Sequence, residues 1–205
     1  MILPFDELNV LQDKYSLPFL AELDEGVVEE EIYDLLISAF IYGVSNVNEA
    51  LDVNLPVDAL KGEKIIHAPV AGKTWRDRLH EYFDNAFADE LGEYQVMISG
   101  QRTSLSDAVS RLAECETTRV FNETMVEIAL DAEKSLPKGT KVLKKWITMR
   151  DERVRDTHRF LDGVEIPASE KFHTIDGDEA MAPGGFLLPE NVVNCRCFLQ
   201  FRKGK

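Results

Sequence analysis

The chain has 205 residues, of which 44% are hydrophobic and 29% charged, and its 37 acidic and 23 basic side chains give a formal net charge of −14. A protein that coats nucleic acid through bulk electrostatics needs a cationic surface, so this charge excludes that class. The excess lies entirely in residues 1–100, with 20 acidic and 6 basic side chains, because residues 101–205 carry 17 of each. We therefore expect the first half to contact a protein partner with a basic surface.

Neither a membrane span nor a secretory signal is expected. No stretch approaches the ~18 apolar residues of a transmembrane helix, and residues 1–7 lack the basic flank and apolar run of a signal peptide. Three cysteines are too few, and odd in number, for a disulfide scaffold. The sequence thus predicts synthesis in a reducing, intracellular compartment.

The first half of the chain reads as helical. Apolar residues recur at helical spacing over residues 27–51 on more than one face, which predicts a helix buried between others or covered by a partner. Residues 52–72, with Pro56 and Pro69, are predicted to be a connection. A second helix is expected from residue 74 towards Leu91, with Gly92 as its end.

The predicted elements include a third helix before Gly139, and they are shorter and partly strands after it. Ser104 begins a long predicted helix that runs to about residue 134. A strand over 142–149, a short helix over 151–161 and loops with short strands over 164–190 follow it. Period-two alternation over residues 193–202 predicts a terminal strand. The fold class is α+β, and we divide the chain into an acidic helical region, 1–73, and a second domain, 74–205, whose helices occupy 74–134 and whose small α+β module occupies 140–202.

The first candidate cluster lies on the long helix. Glu116, Arg119 and Asn122 are spaced by three, so they form one row, and Glu116 interrupts the apolar stripe. A carboxylate there needs a partner, since an unpaired buried charge is costly. Two interpretations remain open: an ion pair between Glu116 and Arg119 at the edge of the core, or a row that docks onto the C-terminal module.

The second cluster is the segment 151–158. Asp151 is a natural N-cap of the predicted helix, and His158 shares a face with Val154 and Leu161, so it should point inward. An inward histidine is either a hydrogen-bonded core residue or a ligand. Arg153 is flanked by acidic side chains that would pair with it before phosphate did.

The third cluster is Asn194-Cys195-Arg196-Cys197. Residues two apart on a strand face the same side, at a Cα separation of roughly 6.5 Å that would strain a disulfide. The two cysteines are therefore either reduced core residues or zinc ligands with His158. Asp151, Asp156 and His173 are the candidates for a fourth zinc ligand.

No convincing catalytic set is present in the sequence. There is no nucleophile elbow, HExxH motif, dinucleotide fingerprint or Walker lysine, so we assign no catalytic residues. The alternative is a nuclease-like, metal- or thiol-dependent hydrolase that uses Asp151, His158 and either Cys195 or Cys197. An apolar environment would make such a thiol inert.

Taken in order, these clusters resemble one family, the phage Mu F-like or SPP1-type minor head proteins of head morphogenesis. The resemblance covers about residues 75–202 and rests on Glu116-Thr117-Thr118-Arg119 with Asn122, Lys145-Trp146, Asp151-Glu152-Arg153-Val154-Arg155 with His158, Leu161-Asp162-Gly163, Phe172, Ala182-Pro183-Gly184-Gly185 and Asn194-Cys195-Arg196-Cys197. Cys115 stands where a threonine is expected, a small change on a helix.

The resemblance implies a structural, non-enzymatic protein of a tailed phage or prophage. Such a protein is made in the host bacterial cytoplasm, is located in the head interior or procapsid, and contacts portal, scaffold or capsid proteins. It aids head morphogenesis, DNA packaging or ejection. The resemblance also favours contact between His158 and the cysteine pair, with structural zinc as the cofactor. DNA contact is expected to be weak or absent, and any such contact would use the basic tail, Arg202-Lys203-Gly204-Lys205.

Overall fold

The computed structural model describes residues 24–204, so the expectations for residues 1–7 and for Lys205 lie outside it. Within this range the helices are α1 (Glu25–Leu51), α2 (Ala59–Ile66), α3 (Trp75–Asp84), α4 (Leu105–Ser135), α5 (Asp156–Arg159) and α6 (Pro189–Val192). The strands are β1 (Phe87–Ala88), β2 (Tyr94–Ile98), β3 (Gln101–Ser104), β4 (Lys141–Ile147), β5 (Glu165–Pro167), β6 (Phe172–His173), β7 (Glu179–Ala180) and β8 (Phe198–Gly204). The predicted α+β class is confirmed.

Helix α1 packs along α4, and the two form the centre of the molecule. The Asp24 carboxylate accepts hydrogen bonds from the backbone N–H groups of Gly26 and Val27, which caps α1 at its start. One face of α1 is fully buried, whereas Ile41 on another face is 45% exposed. The predicted helix over 27–51 is therefore confirmed, and α4 likewise agrees with the helix predicted from Ser104.

The connection predicted over residues 52–72 contains helix α2, so this prediction was wrong. Asp58 accepts hydrogen bonds from the N–H groups of Leu60 and Lys61 and starts the helix after Pro56. Ile65 and Ile66 at its end are buried. An eight-residue helix is marginal by itself and depends on packing of this kind, which its local sequence does not reveal.

The helix predicted from residue 74 towards Leu91 ends at Asp84, which corrects the second prediction. Thr74 and Asp77 form a capping box at its start, but Phe87 then pairs with Gln95 in a three-stranded antiparallel sheet, β1-β2-β3. Strands β2 and β3 are joined by Ser99 and Gly100, both at positive φ. This backbone is the one that two-residue hairpins prefer, and glycine adopts it without strain.

A second sheet, in the order β5-β4-β8, carries the C-terminal module. The predicted strand over 142–149 is confirmed as β4. The helix predicted over 151–161 is reduced to α5 because the Asp151 carboxylate accepts a hydrogen bond from the N–H of Arg153 and stabilises a separate turn. The terminal strand begins at Phe198 and not at residue 193, because Asn194 has a φ of 56° and the N–H of Cys195 closes a turn onto Val192.

One hydrophobic core contains residues from both sides of position 73, including Leu36 of α1 and Trp146 of β4. The division into domains 1–73 and 74–205 stays a prediction. Among the described helices, none is long and apolar enough to cross a membrane.

Strand β4 buries a lysine on its inner face, between Val142 and Trp146. The ammonium of Lys144 donates a hydrogen bond of 2.7 Å to the carbonyl of Met181 and lies 5.2 Å from the centre of the Phe172 ring. Burial lowers the pKa of Lys144 from 10.5 to about 8, because the charged form loses its hydration.

Replacing Lys144 by methionine is expected to change how stability depends on pH. Between pH 8 and 10.5 the unfolded wild-type chain keeps its Lys144 proton while the folded chain has lost it, so wild-type stability rises with pH in this window. The variant lacks this contribution. Urea unfolding gives the free energy of unfolding of each protein. We expect that of the variant, relative to that of the wild type, to be lower at pH 10 than at pH 7 by at most about 3 kcal/mol. Parallel pH profiles for the two proteins would contradict the assignment.

Candidate functional site

Arg119 lies at the centre of a buried polar network on α4, with 1% of its surface exposed. Its guanidinium donates to Glu116 at 2.8 Å and to Glu123 at 2.6 Å. It also donates to the carbonyls of Ile65 and Ile66, at 3.0 and 3.2 Å. Arg119 therefore satisfies carbonyls at the end of α2, which have no partner within that helix. The predicted pair between Glu116 and Arg119 is present.

Asn122 in the same row joins α4 to the C-terminal module. Its side-chain oxygen accepts a hydrogen bond from the N–H of Leu199 at 3.1 Å, and its amide donates to the carbonyl of Cys197 at 3.4 Å. Asn122 is 1% exposed. Glu116 and Arg119 thus pair with each other, whereas Asn122 is the member of the row that bonds to the C-terminal module.

Sequence reasoning missed two partners of this network. Arg78 of α3 pairs with Glu116, and Glu123 pairs with Arg119. Glu123 follows Arg119 by four residues, a spacing that could have indicated it. Arg78 lies 38 positions before Glu116 and no local pattern connects the two.

His158, Cys195 and Cys197 come together in the module. The Nδ1 atom of His158 is 3.6 Å from the Cys195 sulfur and 3.5 Å from the Cys197 sulfur. These three atoms all lie within 4.8 Å of one another, and the three residues are buried. Both cysteines are reduced. The predicted contact between the histidine and the cysteine pair is therefore present.

The two thiols shift each other's pKa in opposite directions. A hydrogen bond from Cys197 lowers the pKa of Cys195, and the His158 ring acts in the same direction. The same bond to Cys195, together with burial, raises the pKa of Cys197. Cys115, outside this cluster, has its pKa raised to about 11 by burial.

Aromatic rings enclose the cluster. Trp146 meets His158 edge-on at 5.5 Å between ring centres, and Phe186 lies 5.5 Å from the same histidine. Phe172 packs edge-on against Trp146. The Nε2 atom of His158 is buried and has no hydrogen-bond partner among residues 24–204.

A second polar network, also missed by the sequence reasoning, holds this cluster in shape. The Asp178 carboxylate accepts hydrogen bonds from the N–H of Leu188 and the amide of Asn191. Asn191 in turn accepts a hydrogen bond of 3.0 Å from Thr157, the neighbour of His158. Burial opposes ionisation of Asp178, but these donors hold its pKa below the usual range. The network therefore ties the histidine helix to the segment that precedes the cysteines.

The other predicted site residues do not join the cluster. Asp151 pairs with Arg196 at 2.7 Å, Asp156 with Arg159, and His173 with Glu179. The structure brings none of these three proposed fourth ligands to the cluster. Asn194 supplies the turn before Cys195, and Arg153 is exposed.

Part of the basic tail lies in a strand, and its contact with DNA stays a prediction. Residues 202–204 belong to β8 and pair with β4, and the Arg202 guanidinium pairs with Glu165. Its charge is thus partly neutralised within the sheet.

This arrangement favours packing or metal ligation over nucleophilic catalysis. Cys195 is 5% exposed and Cys197 3%, so both sulfurs are largely buried, although Cys195 also borders a cavity of about 730 Å³ that Cys115 and Arg155 help to line. The Asp151 carboxylate proposed for a hydrolase is instead held by Arg196.

Known proteins resemble the chain over its central and C-terminal parts. The family described as Phage Mu protein F like protein matches residues 84–200. Minor head protein GP7 of Bacillus phage SPP1 is 35% identical over 100 residues, which is 48% of this chain and 31% of that protein. The NAD(+)–arginine ADP-ribosyltransferase EFV of Enterococcus faecalis (strain ATCC 700802 / V583) is 30% identical over 146 residues, which is 65% of this chain and 29% of that protein.

The chain thus spans less than a third of the length of either relative. No solved structure matches it. The matched residues 84–200 cover more than half of the chain and contain the Glu116–Asn122 row, His158 and both clustered cysteines. The chain belongs to the family of phage Mu protein F-like proteins.

Proposed function

We propose that the chain is a minor head protein of a tailed phage or prophage, which acts in assembly of the procapsid and resides in the head interior. The observation that carries the proposal is its membership of the Mu F-like family together with its 35% identity to a protein named minor head protein. The burial of both cysteines and of the histidine supports a structural role, since a buried thiol is more often a core residue or a metal ligand than a nucleophile.

Within this role we assign the acidic face of α1 to contact with the portal. Glu30, Glu31 and Asp34 are exposed near the start of this helix. They belong to the half of the chain that carries the whole excess of negative charge. A face of one sign speeds encounter with a partner of the opposite sign and fixes its orientation.

The test is a pulldown of purified portal protein with the full chain, combined with mass spectrometry of purified procapsids and virions. The wild-type chain is expected in procapsids and on the portal. Reversing the charge of the acidic face, with Glu30→Lys, Glu31→Lys and Asp34→Lys together, should weaken portal capture at least about tenfold, with the largest effect at low salt.

A matched control carries the same change in charge on the neutral half of the chain, at Glu127, Glu152 and Glu190, which are also exposed. This control should bind portal as the wild type does. Absence of the chain from both procapsids and virions would overturn the head-protein role. Equal effects of the two triple variants would overturn only the assignment of the α1 face.

Roles in DNA packaging or ejection follow from the same proposal and would act through the portal. The proposal does not include direct DNA binding by this chain. Its formal charge of −14 opposes such binding, and Arg202 is paired with Glu165. The ADP-ribosyltransferase activity in the name of the Enterococcus relative is a property of that protein, of which this chain matches 29%.

A further inference from the structure

We propose that His158, Cys195 and Cys197 bind one zinc ion, through Nδ1 of the histidine and both sulfur atoms. The site is a property of the fold and does not depend on the role of the chain in a phage head. It would fix the two segments that approach each other beneath Trp146 and Phe186.

The distances between the three atoms fit a tetrahedral zinc site. With Zn–S bonds of about 2.3 Å and Zn–N bonds of about 2.0–2.1 Å, tetrahedral angles place a sulfur about 3.5–3.6 Å from a nitrogen ligand. The two observed sulfur-to-Nδ1 distances are 3.6 and 3.5 Å. Hydrogen bonding alone does not account for two thiols close to one nitrogen, because a neutral imidazole nitrogen has a single lone pair and can accept from only one of them.

The charge of the donor set also fits a buried zinc ion. Two thiolates neutralise the 2+ charge of the ion, so the group as a whole carries no net charge into the core, and the cost of burying a net charge is avoided. Thiolate and imidazole ligands in tetrahedral geometry favour zinc over the hard cations, which take oxygen ligands.

The protein holds these ligands in place without help from the ion. Thr157, next to the histidine, donates to Asn191, and Asn191 is anchored by Asp178. The N–H of Cys195 bonds to the carbonyl of Val192 directly after this anchor. These hydrogen bonds position the two segments that carry the ligands, although the ring of His158 itself has no outer hydrogen bond at Nε2 among residues 24–204.

The fourth position belongs to a water molecule. A cavity of about 10 Å³ borders His158 and Cys197 and is also lined by Arg153, Arg155 and Arg196. This volume is close to the least that holds one water. None of the carboxylates or histidines among residues 24–204 lies near enough to complete the set.

The experiment measures bound metal directly, on the full chain purified without a histidine tag or chelator. We expect about one zinc per chain by inductively coupled plasma mass spectrometry. The zinc-binding dye 4-(2-pyridylazo)resorcinol should detect its release only after the thiols are modified. Cys195→Ser and Cys197→Ser should each lose the bound zinc. Cys115→Ser removes the third cysteine, which is outside the cluster, and should retain it.

A spectroscopic measurement covers the case in which the serine variants fail to fold. Cobalt(II) added to the metal-free wild-type chain should give the absorption of tetrahedral coordination, with sulfur-to-metal charge transfer from two thiolates. The proposal is overturned if the folded wild-type chain neither contains zinc nor takes up cobalt. It is also overturned if Cys115→Ser loses zinc as fully as the clustered variants do, or if Cys195 and Cys197 are isolated as a disulfide.

Discussion

Replacing Arg119 by leucine should lower the free energy of unfolding by about 3–5 kcal/mol, the largest effect expected for a single side chain here. Leucine keeps much of the volume but removes all the donors. Glu123 then loses its cation and Glu116 keeps only Arg78. The carbonyl of Ile66 loses its donor, while that of Ile65 keeps the N–H of Ala68. Breaking a buried ion pair from one side is costly because the remaining charge stays buried with less compensation. Urea unfolding followed by circular dichroism measures the loss.

Two further variants separate this explanation from a general effect of removing a cation from α4. Arg111 is exposed on the same helix, and Arg111→Leu should change stability by no more than about 0.5 kcal/mol. Arg119→Lys should recover part of the loss but not all, because an ammonium cannot reach two carboxylates and two carbonyls with the geometry of a guanidinium. A loss at Arg119→Leu below about 1 kcal/mol, or a full recovery by lysine, would show that the network does not stabilise the fold.

A double-mutant cycle tests the coupling itself. Glu123→Gln removes one of the two charges that Arg119 neutralises. If the pair acts as the structure indicates, the leucine substitution should cost about 0.5–3 kcal/mol less in the Glu123→Gln background than in the wild type. Additive effects of the two substitutions would contradict a direct interaction.

Local sequence patterns predicted the long helices and the inward position of His158. Helices α1 and α4 are long enough for apolar periodicity to be read over several turns. His158 is buried as expected, although the helix predicted over 151–161 to place it on an inward face is only four residues long in the structure. The prediction succeeded because Val154 and Leu161 on either side are apolar and buried, whichever turn connects them.

Contacts between distant segments could not be predicted from local sequence patterns. Arg119 binds the end of α2, more than 50 positions earlier, and Asp178 holds Asn191 across 13 positions. Neither pair has a characteristic spacing, since each depends on how separate elements pack. The hairpin at Ser99 and Gly100 is a different case, because a Ser-Gly pair between two short strands is a local signal from which this turn could have been predicted.

Replacing Gly184 by alanine should lower the free energy of unfolding by about 2–5 kcal/mol, since two costs act together. The residue has a φ of +87°, a conformation that costs a non-glycine residue about 1–2 kcal/mol. An added Cβ would also lie 2.9 Å from the Cα of Arg119 and 3.1 Å from its nitrogen. These are backbone atoms of α4 and cannot move aside, so a further cost of about 1–3 kcal/mol from overpacking is expected. Close approach of this loop to α4 explains why glycine occupies this position of the Ala182-Pro183-Gly184-Gly185 motif.

Gly177 provides the matched control because it has nearly the same φ, +85°, and no atom within 4 Å of an added Cβ. Gly177→Ala should therefore show the conformational cost alone, about 1–2 kcal/mol. The difference between the two alanine variants measures the contact with α4 at Arg119, and chemical denaturation of both proteins under one set of conditions gives it directly. Equal losses would mean that the loop can move away from α4 at no cost. A larger loss at Gly184 would establish that this loop must lie against α4, and through Phe186 the same loop covers His158.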